Sequence, residues 1–268
     1  MKTAVISDIH IDINEDYEVI EAIAEYVRDN GAELLLIAGD ISNHAKESIA
    51  AVERLEKESG AKVLYVPGNH DLWDQDKEYG HNDQIYQMFL EDEHCLSGKC
   101  FETENSFILG DVAWYDYSFG NQSLYTFDEF ETMSIGGRTM QDFYFNKWSA
   151  DNTGKSAWFV ERLKEQLEKN PGKDIVLVTH MLSHEYFCVP ESRELWSFLN
   201  AFMGSAALKQ LCLDYHVKYA ICGHIHYRKN TEEAGTTWLC RCLNYQQEWL
   251  GEKDVRKQVA EAMAILEL

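Results

Sequence analysis

Proline is scarce, and the three prolines and 16 glycines among 268 residues argue against a collagen-like or linker-dominated chain. No apolar run exceeds five residues, Leu34 to Ala38 among them, whereas a membrane-spanning helix needs roughly 18 or more. A secretory leader is not expected, because charge interrupts the chain by Asp8 and no small-residue cleavage pattern follows an apolar run. Basic residues are also few, 24 Lys and Arg against 46 Asp and Glu, for a net charge of −22. Such a surface repels a polyanion, so duplex nucleic acid is not expected as a partner. A small phosphorylated substrate is still allowed, since a local metal site can reverse the sign of the field. The seven cysteines (95, 100, 188, 212, 222, 240 and 242) are odd in number, contain no Cys-x-x-Cys and show no disulfide framework. Reduced thiols in a cytoplasmic protein without membrane association are the expectation.

Hydrophobic residues make up 45% of the chain, enough for a sizeable core. Thr3 to Ser7 reads as a buried strand ending at Asp8-Ile9-His10. A helix follows with Val19, Ile20, Ile23, Ala24 and Val27 on one face. Leu34 to Ala38 is a second strand, ending at Gly39-Asp40, and a helix over 45–58 turns Ile49, Val52 and Leu55 inward. Val63 to Val66 is a third strand, followed directly by Pro67-Gly68-Asn69-His70-Asp71. Short β-α-β-α-β connections predict a parallel sheet in an α/β fold. Asp8, Asp40 and Asn69 lie 32 and 29 residues apart, the length of a strand-plus-helix unit, which puts all three at carboxyl ends of strands.

The segment from 72 to 150 is irregular and rich in aromatics, with a helix near 83–91 and strand-like runs Ser106 to Leu109 and Val112 to Tyr117. It reads as an insertion over one end of the sheet, most of its aromatics packing as core, within a single domain spanning 1–268. Regularity returns with a helix burying Trp158, Leu163 and Leu167, the strand Ile175 to Thr179 and then His180. A helical region over 191–213, a strand Val217 to Cys222, then Gly223-His224-Ile225-His226 and a strand Thr236 to Leu243 complete the pattern. Val259 to Leu266 suits helix or strand equally.

Five strand ends thus deliver carboxylate, imidazole and amide groups: Asp8 with His10, Asp40, Asn69 with His70 and Asp71, His180, and His224 with His226. This mixture suits divalent metals such as manganese, iron, cobalt or zinc. Asp-x-His or His-x-His alone is weak evidence; all five blocks in order after apolar strands are a strong signal.

The set resembles the metallophosphoesterase, or calcineurin-like phosphoesterase, superfamily in the form found in bacterial branches. Its blocks appear here as Asp8-Ile9-His10, Gly39-Asp40, Gly68-Asn69-His70-Asp71, His180 and Gly223-His224-Ile225-His226. The resemblance implies a four-layer α-β-β-α sandwich and two divalent ions. Asp8, His10 and His226 would hold one ion, Asn69, His180 and His224 the other, and Asp40 would bridge them. His70 would act as proton donor or transition-state stabiliser, with Asp71 able to orient it. The implied reaction is hydrolysis of a phosphomonoester or phosphodiester by in-line attack of a metal-bound hydroxide.

The protein Ser/Thr phosphatase signature is missing, and Thr179-His180-Met181-Leu182 departs from the His-His-Pro run of cyclic-nucleotide phosphodiesterases. That activity and a nuclease remain alternatives, as does a non-catalytic protein-interaction scaffold on the same fold. Loss of ligands would mark the scaffold, and none of the seven positions is lost. Arg138, Lys147, Arg193 and Arg228 are candidate phosphate clamps. His44, His81, His94 and His216 are expected at the surface, and His184 is not expected to be a ligand. Specificity is expected to lie in the 72–150 insertion.

Overall fold

A computed structural model describes residues 1–268. The chain opens with β1 (Lys2–Ile6), α1 (Val19–Asp29), β2 (Leu34–Ala38), α2 (Ala45–Ser59) and β3 (Lys62–Val66). It continues through α3 (Asn82–Glu91), β4 (Cys100–Glu102) and β5 (Ser106–Asp111). Short pieces follow: α4 (Phe127–Glu131), the hairpin β6 (Ser134–Ile135) and β7 (Arg138–Thr139), and α5 (Asp142–Phe145). Then come α6 (Asn152–Leu167), β8 (Asp174–Thr179), α7 (Trp196–Leu199), α8 (Ala206–Asp214) and β9 (Tyr219–Cys222). The chain closes with β10 (Arg228–Glu233), β11 (Thr236–Arg241), α9 (Val255–Ala262) and β12 (Ala264–Glu267). No helix is long and apolar enough to cross a membrane.

The strands form two main sheets, in the orders β12-β1-β2-β3 and β10-β11-β9-β8-β5-β4. Interior pairings are parallel, while β12, β10 and β4 run antiparallel at the edges. Alternation along each strand divides its side chains between two cores. Leu34, Leu36, Leu64 and Val66 of one sheet meet Ile108, Val176, Val178 and Ile221 of the other. The opposite faces carry Leu35, Ile37, Val63, Leu177 and Cys222 into the cluster that includes buried residues of α1, α2, α6 and α8. Strands buried on both faces must be apolar throughout, which is why their runs are uninterrupted. The result is the expected α-β-β-α sandwich. Beyond the end of β1, Ser7 bridges to Cys242 and so ties the two sheets together beside the site.

Several expectations need correction. Val112 to Tyr117 follows β5 as irregular chain, its Tyr115 and Tyr117 buried against Phe202 and Phe130 and its Trp114 against Trp148. Burial makes this run apolar, and the strand-like pattern follows from burial rather than from pairing. The 191–213 region is broken into α7, a 3-10 turn over Asn200–Phe202 and α8. Trp158 is 40% exposed and Phe159 takes the inward position; the indole lies over the Lys155 ammonium, 4.1 Å from ring centre to Nζ. The ambiguous C-terminal run is both things in turn, α9 and then β12. Tyr144 stands out to solvent, but the buried aromatics of residues 72–150 belong to the main core, and β5 within that segment is an interior strand of the six-stranded sheet.

Candidate active site and metal centre

Asp8, Asp40, Asn69, His180 and His224 all follow carboxyl ends of strands, and the two sheets aim these ends at one place. Five of the candidate residues hold left-handed backbone: Asp8 (φ 51°), His10 (40°), Asp40 (54°), His224 (70°) and His226 (56°). Each such residue costs about 1–3 kcal/mol and persists only where its surroundings over-determine it. Here they do. Asp8 N–H donates to Gly39 O (2.9 Å), His10 N–H to Asp40 O (3.1 Å) and His224 N–H to Asp8 Oδ1 (2.9 Å). A Cβ on Gly68 would strike the Asp40 carboxylate, and one on Gly223 would strike that of Asp8.

Asp71 is the hub beneath this arrangement. Its carboxylate accepts from the N–H groups of Asp40 (2.9 Å), Ile41 (3.0 Å), Ser42 (3.0 Å) and Gly68 (2.6 Å), and from Ser48 Oγ (2.5 Å). Burial beside Asp40 pushes its carboxyl up to about 7 against these hydrogen bonds. Asp71 therefore locks the turn at Asp40 to the turn at Gly68 and does not orient the His70 ring. Asn43 takes that place, its Oδ1 lying 2.6 Å from His70 Nδ1. Trp73 stacks on the other face of the ring at 3.7 Å between centres.

The seven candidate ligands gather in two groups that share Asp40. Asp8, His10 and His226 form one cluster, and Asp40, His180 and His224 another. Asn69 joins the second, its Oδ1 2.9 Å from His180 Nε2. Asp40 Oδ1 lies 3.3 Å from His180 Nε2, and its Oδ2 lies 3.6 Å from His10 Nε2. The remaining ring contacts, His180 Nε2 to His224 Nδ1 and His10 Nε2 to His226 Nε2, are both 3.3 Å. Donors about 2.1 Å from one ion, at tetrahedral to octahedral angles, stand about 3.0–3.4 Å apart. The spacing fits.

Tautomers sharpen the case. His180 Nδ1 donates to Ala38 O (2.8 Å), His224 Nε2 to Phe202 O (3.2 Å) and His226 Nδ1 to the Glu248 carboxylate (2.6 Å). In the neutral rings the inward nitrogens are then bare lone pairs, facing carboxylate and amide oxygens. Acceptors converging without a hydrogen between them need a cation. Without one, a proton substitutes: burial resists it, but Asp40 pulls the His180 imidazole up to about 9. Burial and the neighbouring His180 push His224 down to about 3, and burial holds His10 well below its ordinary value. Burial also opposes charge on Asp40, yet the surrounding histidines, His180 first, hold its carboxyl well below the usual range.

Three further residues act around these groups and carry no sequence motif. Glu248 orients His226. Asp142 of α5 accepts from Asn69 Nδ2 (2.9 Å), Trp73 Nε1 (2.8 Å) and Asn146 Nδ2 (2.8 Å) through one oxygen. It thereby turns the Asn69 amide oxygen toward His180. Tyr245 packs against His10 and His226, 4.6 Å between centres in each case.

Other candidates lie elsewhere. His184 bonds Glu233 (3.0 Å) outside the site, and His44, His81 and His216 are exposed as expected. His94 is not at the surface; it is buried against Asp92 (3.1 Å) and Glu56 (3.5 Å). Arg228 is no phosphate clamp, because its guanidinium binds Cys242 O, Leu243 O, Gln258 and Glu261. Arg138 and Lys147 are exposed, and Arg193 flanks the neighbouring groove.

Paired sheets carrying clustered carboxylate, imidazole and amide ligands at one edge define a metal-dependent phosphoesterase. The chain belongs to the calcineurin-like phosphoesterase family, whose model matches residues 1–228. Its fold is similar to that of phosphopantetheinyl hydrolase from Mycobacterium tuberculosis, with a TM-score of 0.71 at 22% identity over 92% of this chain and 91% of that one. A dimetal phosphatase from Danio rerio gives a TM-score of 0.52 at 13% identity over 90% and 86%. An uncharacterised protein of Acanthamoeba polyphaga mimivirus is 22% identical over 193 residues, 65% of this chain. The match spans 65% of that relative's length.

Proposed function

We propose that the protein is a dinuclear-metal phosphoesterase that hydrolyses a small phosphomonoester or phosphodiester by in-line displacement at phosphorus. The observation that carries this reading is Asp40, one oxygen of which faces His180 while the other faces His10. Asp8, His10 and His226 would hold one ion, Asn69, His180 and His224 the second, with Asp40 between them. Manganese, iron, zinc and cobalt suit these ligands. Two divalent ions supply Lewis-acid polarisation of phosphoryl oxygens and a water of lowered pKa.

The chain's own groups do the rest. His70 Nε2 points to the Asp40 side of the cleft, 3.9 Å from Oδ2, while Asn43 fixes its Nδ1. Burial lowers the His70 pKa, partly offset by Asp40, so the resting ring keeps its proton on Nδ1 toward Asn43, and Nε2 gives a proton to a leaving oxygen only once the ring has taken up a second one. Trp73 and Trp196 wall the cleft of about 420 Å³, which suits a phosphoryl group with a modest substituent. The similar structures named a phosphopantetheinyl hydrolase and a dimetal phosphatase support the same class of chemistry.

The test is hydrolysis of bis-p-nitrophenyl phosphate and p-nitrophenyl phosphate by metal-stripped protein, with manganese, zinc, cobalt or magnesium added back. Turnover should return with metal. Asp40→Asn should abolish it while the protein stays folded, and the diester-to-monoester ratio assigns the substrate class. Two bound ions with no turnover on either ester, under any metal, would overturn the reading.

A further inference from the structure

We propose that the groove beside the metal cluster is the subsite for the organic arm of the substrate, and that it takes a flat, aromatic arm ending in an anionic group. The proposal rests on the phosphoesterase reading and names the substrate class for it. The cleft holding Asp40, Asn69 and His70 opens into a second cavity of about 660 Å³. Trp196, Ile225, His226 and Glu248 line both, so a phosphoryl group at the ligands can extend an arm into the groove without leaving the protein. Val189, Trp196, Tyr227 and Leu250 give the groove apolar and aromatic walls, and Leu250 is 86% exposed.

The charges there resolve to one free group. Glu248 is bound to His226, and Glu261 pairs with Arg228, whose remaining donors are taken by backbone carbonyls and Gln258. Arg193 is exposed, has no side-chain hydrogen bond and has no carboxylate within 4 Å. In a chain of net charge −22, a cation left unpaired at the edge of a ligand-bearing cavity has a use for an incoming anion.

The wall between the two cavities is built rather than loose. Leu195 has φ 70° and ψ −10°, a left-handed conformation that is a real outlier for a bulky side chain. It turns the chain directly into α7 and sets Trp196 at the junction. The strap is pinned on both sides: Asn200 holds Val189 through its N–H (3.0 Å) and carbonyl (2.9 Å), and Asn121 N–H donates to Ser197 O (2.8 Å). Strain held in place by such contacts collects at ligand clamps. The strap 189–196 lies outside the 72–150 insertion, which contributes Thr139 to Asp142 on the facing wall. Specificity thus comes from both.

The experiment is calorimetric titration of the manganese-loaded protein with ethylphosphonate, phenylphosphonate and 4-carboxyphenylphosphonate, for wild type, Trp196→Ala, Trp196→Phe and Arg193→Gln. Wild type should prefer phenyl over ethyl by about fivefold, as an aromatic contact supplies, and carboxyphenyl over phenyl by about threefold, as an exposed ion pair supplies. Trp196→Ala should erase the first preference and Trp196→Phe should restore most of it. Arg193→Gln should erase only the second, with ethylphosphonate affinity unchanged in that variant. Preferences that survive both substitutions overturn the subsite while leaving the phosphoesterase reading intact. If no phosphonate binds and bis-p-nitrophenyl phosphate is not hydrolysed, the functional reading itself fails and the subsite with it.

Discussion

His70 is held on two sides, by the Asn43 carbonyl oxygen at Nδ1 and by the Trp73 face, so its Nε2 has one available direction. In the proposed reaction that direction would serve proton transfer, which typically contributes about 10²–10⁴-fold. His70→Ala is expected to lower kcat on bis-p-nitrophenyl phosphate within that range while manganese stoichiometry stays at the wild-type value. Equal kcat would remove His70 from the chemistry. Glu248 works one step further out, holding His226 by a short charge-assisted hydrogen bond that fixes the tautomer. Glu248→Gln should weaken manganese binding by about tenfold in calorimetry, with an unchanged melting temperature in the metal-free protein. The contrast between these residues shows what a sequence can reveal. Asp8 with His10, and His224 with His226, are readable because these candidate ligand pairs lie two residues apart after an apolar strand. Glu248 reaches His226 from 22 residues away, and Asp142 reaches Asn69 across 73, so neither leaves a local pattern.

At the scale of elements, the β-α-β-α-β half was legible because each strand is buried on both faces and each helix shows one apolar face. The 191–213 region was not. Its run of apolar residues follows from burial under the 112–130 aromatics, and Leu195 breaks the helix by a conformation no propensity anticipates. Helix α2 offers a pH test. Its Glu56 accepts from Val63 N–H at the start of β3 (2.8 Å) and faces Lys62 (3.3 Å). Burial opposes the charge, but that hydrogen bond and Lys62 outweigh it, holding the carboxyl below its ordinary 4.5. A depressed carboxyl stabilises the fold above the unfolded value and loses that contribution as pH falls through the folded one. Melting temperature should therefore fall less steeply for Glu56→Gln than for wild type between about pH 5 and pH 3. Parallel curves would show that Glu56 does not help fasten α2 to β3.

Across the whole molecule, the site is where both sheets end and where backbone strain accumulates, so ion binding and global stability should be linked. Five left-handed residues, two carboxylates and the inward imidazole nitrogens are held together at the bridge between Ser7 and Cys242. Each ion that binds only the folded state at about a hundred times its dissociation constant adds about 2.7 kcal/mol. For a chain of this length, each kcal/mol moves the melting temperature by about 2–4 °C. Chelation at neutral pH is thus expected to lower the melting temperature by about 5–10 °C per tightly held ion, with manganese restoring it. Asp40→Asn should abolish most of this response, because one substitution reaches both ligand groups, whereas Glu248→Gln should only shift the manganese concentration needed. A melting temperature indifferent to chelator and to added manganese would mean that the converging acceptors are satisfied by protons alone. The scaffold reading of this fold would then account for the protein better than catalysis does.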